Sequence, residues 1–200
     1  MHASYTPEMT MRAARDLYFD VNGFGADGGY ADTWVDFKLG PLPLPFPNTP
    51  GRIAAVKFHD LHHVLTGYET HATGEFEISA WELGAGCARF PAAWVINHGG
   101  LAAGLVAAPR KVFEAYVRGR RSRTLYGESF EPLLDRQVGE MRAAFLRPAE
   151  GATARDAAAF AFTALSGVVI GLMFMAVVLP LVPIGLVATW LRRRQTPHAA

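Results

Sequence analysis

Four side chains in the stretch HDLHHVLTGYETHATGE carry groups that bind metal ions: His59, Asp60, His63 and Glu75. Residues four apart share one face of a helix, so the imidazoles of His59 and His63 can converge on one ion. Asp60 lies beside this pair on the same turn, and Glu75 returns on a second helix after a turn at Gly67. We therefore predict that these four residues bind a divalent metal. A histidine pair at this spacing also occurs without a metal, as a surface or core pair.

The ligand types narrow the choice of metal without selecting one. Imidazole with carboxylate suits zinc, iron or manganese. We expect zinc, which fits Lewis-acid chemistry, whereas iron would better suit an oxidative step. Glu82 follows Glu75 by seven residues and shares its helix face, so we predict that Glu82 orients one of the histidines from behind. An exposed Glu82 paired with Arg89 is the alternative.

The motif and its flanking segments resemble one known family, the Coq4 proteins of ubiquinone biosynthesis. The family motif is HDxxH, eleven further residues and Glu, and here His59, Asp60 and His63 are followed after eleven residues by Glu75. The sequences GRIAAVKFHDLHHVLTGY and GEFEISAWELGAG are similar to the two central helices of the family, and YVRGRRSRTLYGESFEPLLDRQVGEMR is similar to its closing segment. The resemblance covers residues 6–147.

This resemblance implies a chemistry and a set of partners. The Coq4 reaction is removal of the C1 carboxylate from a polyprenylated hydroxybenzoate, coupled in the family to hydroxylation at that carbon. The resemblance makes His59, Asp60, His63 and Glu75 the catalytic residues. It also implies a polyprenylated quinone precursor as substrate and membrane lipid as partner. Other ubiquinone-biosynthesis enzymes are further expected partners, and the chain is expected to form a homo-oligomer.

Two alternative functions stay open from the sequence. One is a non-catalytic, lipid-binding scaffold of a quinone-biosynthesis complex, in which a fully protein-ligated structural metal holds two helices together. The other is a membrane-anchored metallohydrolase, because HDxxH resembles the HExxH motif of zinc proteases, in which the residue after the first histidine is the general base. Asp60 takes that position with a side chain one methylene shorter than glutamate, which makes a metal-bound water hard to reach.

Hydrophobic periodicity predicts an all-α domain over residues 1–150, with the metal between two central helices. We predict that the amphipathic segment MTMRAARDLYFDV belongs to a helix that begins at Pro7, with Thr6 as its cap. The chain from Gly51 onward and the small-residue segment AAWVINHGGLAAGLVAAP also follow helical spacing. The prolines of GPLPLPFPNTPG predict an extended segment that covers the core or forms the rim of an apolar groove.

Net charge and cysteine content argue against a nucleic-acid-binding protein and exclude an internal disulfide. The net charge of +1 gives no field that would attract nucleic acid. Six basic residues nevertheless lie between Arg110 and Arg123, either as a solvated face or as a contact for anionic headgroups or a substrate carboxylate. Cys87 is the only cysteine, so no internal disulfide can form, and we predict a small core residue. His98 is predicted to be a helix-end histidine rather than a ligand.

Residues 151–200 are predicted to form a C-terminal membrane anchor, transmembrane or re-entrant, which members of the Coq4 family generally lack. The stretch of 35 residues from Ala157 to Leu191 contains no charge. One straight helix of this length would measure about 52 Å, far more than a hydrocarbon core of about 30 Å. Because Pro180 and Pro183 lie past its middle, we favour a hairpin that turns at LPLVPIG over a single span followed by an interfacial segment.

The hairpin has a consequence for localisation. It would keep both ends of the anchor, with the arginines at 192–194, on the cytosolic face. The first twenty residues also lack the features of a signal peptide. We therefore expect the metal domain on the cytosolic face of a bacterial inner membrane, or on the matrix face of the mitochondrial inner membrane in a eukaryote.

Overall fold

The computed structural model describes residues 5–35, 38–39, 42–43, 45–148 and 151–195. This part of the chain is mainly helical, which confirms the all-α fold class. The α-helices, in chain order, are α1 (Met11–Asn22), α2 (Pro50–Thr66), α3 (Ala72–Ala85), α4 (Pro91–Ala107), α5 (Pro109–Arg121), α6 (Phe130–Leu134), α7 (Val138–Phe145) and α8 (Ala154–Gln195), with a 3-10 turn at Leu125–Gly127. Two short antiparallel pairs join β1 (Trp34–Val35) to β4 (Phe46–Pro47) and β2 (Lys38–Leu39) to β3 (Leu42–Pro43).

The first helix begins later than the sequence predicts. Thr10 is the N-cap of α1 and its side chain accepts a backbone hydrogen bond from the first turn, so the predicted start at Pro7 was wrong. The carbonyl oxygens of Pro7 and Met9 instead accept hydrogen bonds from the backbone of Gly139 and Val138, at 2.9 and 2.8 Å. This contact with the start of α7 uses the backbone groups that an earlier helical turn would have needed.

The described residues of the proline-rich segment before Pro50 are extended, as predicted, and they lie against α8, whereas Pro50 and Gly51 begin α2. The rings of Phe46 and Phe174 are 6.2 Å apart between centroids. Gly185 of α8 approaches Pro45 so closely that an added Cβ would lie 2.8 Å from the proline ring. Leu44 lies outside the described residues.

The helices that carry the candidate ligands are defined at both ends. Thr49 caps α2 and Pro50 occupies its first turn, where the missing N–H costs nothing. The helix ends at Gly67, whose φ of 79° favours glycine. The ring of His71 then caps α3 by accepting a hydrogen bond from the backbone of Gly74. This turn places α3 beside α2, as the sequence predicts.

Helices α3 and α5 approach each other closely at two glycines, and this contact bears on the site. A Cβ at Gly119 would collide with the carbonyl oxygen of Trp81, and a Cβ at Gly84 would collide with that of Tyr116. Glycine is required at both positions because backbone atoms cannot move aside as a flexible side chain can. This approach fixes the helix from which Glu75 and Glu82 extend.

Replacing Gly119 by alanine is expected to lower the free energy of unfolding by about 1–3 kcal/mol through overpacking. Gly51→Ala is the matched control, because no atom lies within 4 Å of the added Cβ in α2. Higher helix propensity should leave that variant unchanged or up to about 1 kcal/mol more stable. Chemical denaturation in detergent micelles, followed by circular dichroism, measures both variants. Equal unfolding energies would contradict the close approach of α3 and α5.

The basic cluster of α5 is largely engaged within the fold. Arg120 and Arg121 bind the carboxylate of Asp156 at 2.9 and 2.8 Å. Arg118 donates a hydrogen bond to the carbonyl oxygen of Thr66 at the end of α2, at 3.2 Å. These arginines therefore fasten α5 to α2 and to the start of α8.

The C-terminal helix differs from the predicted hairpin. Helix α8 continues through Pro180 and Pro183 as one element, so the predicted turn at LPLVPIG was wrong. Both prolines lie on the exposed side of the helix. Among the described helices, α8 contains a segment, Ala154–Ala188, that is long and apolar enough to cross a membrane, with a mean hydropathy of 2.5. Helix α7 ends at Phe145 and α8 begins at Ala154, on either side of the predicted domain boundary.

Candidate metal centre

The structure brings together three of the four predicted ligands. The Nε2 atoms of His59 and His63 are 3.2 Å apart, and carboxylate oxygens of Glu75 lie 3.5 Å from each. One ligand atom from each residue lies within 4.8 Å of the other two, so the group could hold a metal ion. The side chain of Glu75 is 34% exposed and that of His63 only 1%. The group is therefore reached from the side of Glu75.

The second ring nitrogen of each histidine faces a hydrogen-bond acceptor. Nδ1 of His63 lies 2.8 Å from the carbonyl oxygen of Tyr68, and Nδ1 of His59 lies 2.9 Å from Oε1 of Glu82. A carbonyl oxygen or an ionised carboxylate can only accept, so both Nδ1 atoms carry hydrogen. The Nε2 atoms are left to face Glu75. Metal-binding histidines have this arrangement, in which the hydrogen bond at one nitrogen orients the other.

Glu82 lies behind the histidines at the centre of a buried network. Its Oε1 accepts hydrogen bonds from Nδ1 of His59 and of His62, at 2.9 and 2.7 Å. Its Oε2 accepts from the amide of Asn97 at 2.5 Å and from the hydroxyl of Tyr126 at 2.6 Å. The side chain of Glu82 has no solvent exposure. Four donors therefore use the acceptor capacity of this carboxylate in place of water.

The sequence predicts that Glu82 orients one of the histidines, and the structure shows that this histidine is His59, but the rest of the network was not predicted. The alternative of an exposed Glu82 paired with Arg89 was wrong, because Glu82 is fully buried. His62 is not part of the three-residue group, but its Nδ1 contacts the same oxygen of Glu82 as His59, so the prediction that helix geometry directs it away from His59 was wrong. Its Nε2 accepts a hydrogen bond from the backbone of Leu125 at 2.9 Å. No spacing rule connects α2 with residues 97 and 126, so only tertiary structure reveals those donors.

The buried charges shift one another's pKa values. Burial lowers the pKa of His59, but Glu82 and then Glu75 outweigh this effect and hold it well above its usual value. Burial raises the pKa of Glu82, but His59 and His62 hold it well below its usual value. For His63 burial dominates and lowers the pKa to about 4. These shifts favour a proton on His59 over one on His63, and a metal ion bound by the three residues would compete with that proton.

Asp60, the fourth predicted ligand, is not part of this group. Its Oδ2 accepts a hydrogen bond from the hydroxyl of Tyr30 at 2.5 Å. Burial raises the pKa of Asp60 to about 6, against the opposing effect of His59. Asp60 follows His59 by about 100° around the helix, which directs it to the loop that carries Tyr30. The sequence correctly places Asp60 next to the histidines, but the described contact is with this tyrosine.

The donor set and its spacing fit a divalent metal. Two ligands that bind zinc at about 2.0–2.1 Å in a tetrahedron are about 3.3 Å apart. The separation of 3.2 Å between Nε2 of His59 and Nε2 of His63 is close to this value. Two imidazoles with one carboxylate suit zinc, iron or manganese, and three protein ligands leave a coordination position open.

The remaining histidines and the cysteine lie outside the group. His71 caps α3, where its Nε2 also contacts Glu69 at 2.5 Å. His98 lies inside α4 rather than at a helix end, so that prediction was wrong, and its Nδ1 faces the carbonyl oxygen of Trp94 at 2.7 Å. Cys87 is fully buried, as predicted for a core residue.

Fold and site together define an all-α protein with a candidate His–His–Glu metal group and a long apolar C-terminal helix. Comparison with models of protein families, with curated proteins and with solved structures found no match. The resemblance to Coq4 therefore rests on the sequence segments that carry it.

Proposed function

We propose that the chain is a Coq4-like metal-dependent enzyme of ubiquinone biosynthesis. Its reaction is removal of the C1 carboxylate from a polyprenylated hydroxybenzoate at a membrane, with zinc as the first candidate metal. The observation that supports this proposal is the group formed by His59, His63 and Glu75, whose donor atoms lie within 4.8 Å of one another. The HDxxH motif with Glu75 at the Coq4 spacing connects this group to the family.

Residues around the metal group would hold the two histidine rings in a metal-binding orientation before substrate binds. Glu82 and the carbonyl oxygen of Tyr68 hold the Nδ1–H groups of His59 and His63, so both rings keep their orientation. The exposed side of Glu75 leaves an approach for an acidic aromatic head group. When bound, a zinc ion supplies Lewis-acid stabilisation of the negative charge that develops as the carboxylate leaves.

Membrane attachment through α8 suits a polyprenyl substrate. Each CH₂ of the prenyl tail would cost about 0.8 kcal/mol to bring into water, so the enzyme must act where the tail lies. We propose that the metal domain faces the cytosol in a bacterium, or the matrix in a mitochondrion. Other enzymes of ubiquinone biosynthesis and a second copy of the chain are the protein partners that the Coq4 resemblance suggests.

The two alternative functions receive less support from the geometry. A hydrolase of the HExxH type needs Asp60 as general base at a metal-bound water, but Asp60 is engaged by Tyr30. A structural zinc site has four protein ligands, whereas three converge here among the described residues. The scaffold function remains the second candidate, because a three-residue group could still bind a structural metal with a ligand from a partner.

The proposal is tested by lipid mass spectrometry of cells in which the native chain is replaced by His63→Ala or Glu75→Gln at equal expression. We expect the ubiquinone pool to fall at least about tenfold, and a prenylated aromatic acid that keeps its carboxylate to accumulate. Glu77→Gln is the matched control, since it makes the same change on α3 outside the group, and it should leave the pool unchanged. An unchanged pool in the Glu75 variant would overturn the proposal.

A further inference from the structure

The surface of α8 is divided lengthwise into a buried stripe and an exposed face. Buried or half-buried residues recur at helical spacing from one end of α8 to the other. They include Asp156, Thr163, Gly167, Gly171, Val178 and Gly185. Every exposed side chain described between Ala157 and Leu191 is apolar. The helix therefore packs on the domain with one side and presents hydrocarbon on the other along its length.

The contacts in the stripe show how far the domain follows α8. Near its start, the hydroxyl groups of Thr163 and Tyr116 lie 2.9 Å apart. In the middle, a Cβ at Gly171 would lie 3.7 Å from the Cα of Gly99, so two helix backbones meet there. Near its end, Gly185 lies against Trp34. From residue 163 to residue 185 the helix rises about 33 Å, slightly more than the thickness of a hydrocarbon core, about 30 Å.

A membrane-crossing position for α8 conflicts with these contacts. Phe174 is the midpoint of the uncharged stretch and would lie at the bilayer centre, with Phe46 against it. The guanidinium of Arg52 lies 5.7 Å from the ring of Phe46, and a charged arginine at that depth costs about 3 kcal/mol or more. The two-stranded pair of β1 and β4 would also bring open strand edges into hydrocarbon, where they cannot be satisfied.

The length of the exposed face leads to the same conclusion. From Ala157 to Leu191 it measures about 51 Å. To fit a core of about 30 Å, the helix would need a tilt of about 54°, beyond the 0–40° seen for membrane-spanning helices. An in-plane helix has no such limit. The side of an in-plane helix that faces away from the lipid is usually polar because it contacts water. In α8 that side contacts the rest of the protein, so it need not be polar.

We propose that α8 lies in the plane of the membrane surface, with its exposed face in the lipid of one leaflet and the metal domain above it. Lipid is favoured over a second copy of the chain because a protein interface has a polar rim. The exposed face has none among its described side chains. Arg155 is exposed at the start of α8, where it can meet anionic headgroups of the same leaflet.

Depth measurement on the intact chain tests this inference. Leu165, Leu172, Leu179 and Leu186 are all exposed and follow one face at intervals of seven residues, about 10.5 Å each. Each is replaced in turn by cysteine and labelled with a nitroxide in vesicles of phosphatidylethanolamine and phosphatidylglycerol. We expect four similar depths from relaxation by oxygen and by a water-soluble nickel complex. The wild-type chain is the labelling control, because its Cys87 is fully buried.

Three outcomes would overturn the in-plane position. One is a depth that rises and falls by about 10 Å between successive labels, as a crossing helix requires. Another is weak relaxation by oxygen together with strong spin–spin coupling between the nitroxides of two chains, which would indicate that a second copy of the chain covers this face. The third is labelling of Arg155→Cys and Gln195→Cys by an impermeant maleimide from opposite sides of sealed vesicles. None of these measurements involves quinone chemistry, so this inference and the proposed enzymatic function fail independently.

Discussion

The Glu82→Met variant is expected to lose about 3–5 kcal/mol of unfolding free energy, the largest stability effect of any single substitution considered for this chain. Methionine fills the space of the side chain but accepts no hydrogen bond from His59, His62, Asn97 or Tyr126, which contact Glu82 in the wild-type chain. Each buried donor without a partner costs about 1–3 kcal/mol before relaxation. A loss of this size is a large part of the stability of an ordinary domain.

Chemical denaturation in detergent micelles, followed by circular dichroism, measures this loss. Glu77→Met is the matched control, because it makes the same change on α3 at a partly exposed position. Its unfolding free energy should stay within about 0.5 kcal/mol of the wild-type value. Metal affinity of the Glu82 variant should also fall by about 10–100-fold, since His59 loses the group that orients it. A loss of less than about 1 kcal/mol would contradict the network.

Removal of the metal is expected to abolish turnover while the helices remain. A Lewis-acid contribution of about 4 kcal/mol corresponds to a loss of about 1,000-fold in rate. The core should persist because it does not depend on the ion: Leu61, Ile78, Trp81 and Leu134 are fully buried away from solvent. Glu82 also keeps its four hydrogen-bond donors when the ion leaves, since none of them is the Nε2 atom of a ligand.

Two measurements on the same chelated sample separate catalysis from scaffolding. Far-UV circular dichroism reports the helices, and conversion of a short-chain prenylated hydroxybenzoate in detergent micelles reports the reaction. Addition of zinc, iron or manganese then shows which ion restores turnover. Collapse of the helices on chelation, with recovery on adding metal, would favour the structural-metal scaffold instead. Full turnover in the metal-free chain would contradict a metal-dependent reaction.

The proposed in-plane position of α8 would change how the proposed substrate reaches the candidate metal centre. A domain that lies on one leaflet keeps both ends of its anchor on one side, which the predicted hairpin achieves in another way. A polyprenyl chain could then remain in lipid while its acidic head group approaches Glu75. The cytosolic or matrix placement proposed for the domain requires no crossing of the bilayer.

Local sequence was sufficient to predict the helical fold class and the convergence of His59, His63 and Glu75. The spacing of His59 and His63 depends only on the geometry of one helix. Glu75 is on the next helix, after a short interhelical turn. The buried position of Cys87 and the helical fold class also follow from short-range pattern. Composition alone predicted the long apolar helix that could cross a membrane.

Long-range contacts decided the features that spacing could not predict. Asp60 has the right neighbours in sequence, but Tyr30 engages it from a loop thirty residues away. Glu82 meets Asn97 and Tyr126 only because α4 and the 3-10 turn pack against α3. The prolines in α8 suggested a turn, yet the helix continues along the surface of the domain. The positions of Asp60, Glu82 and α8 each depend on packing between elements that are distant in sequence. A local sequence pattern cannot predict such packing.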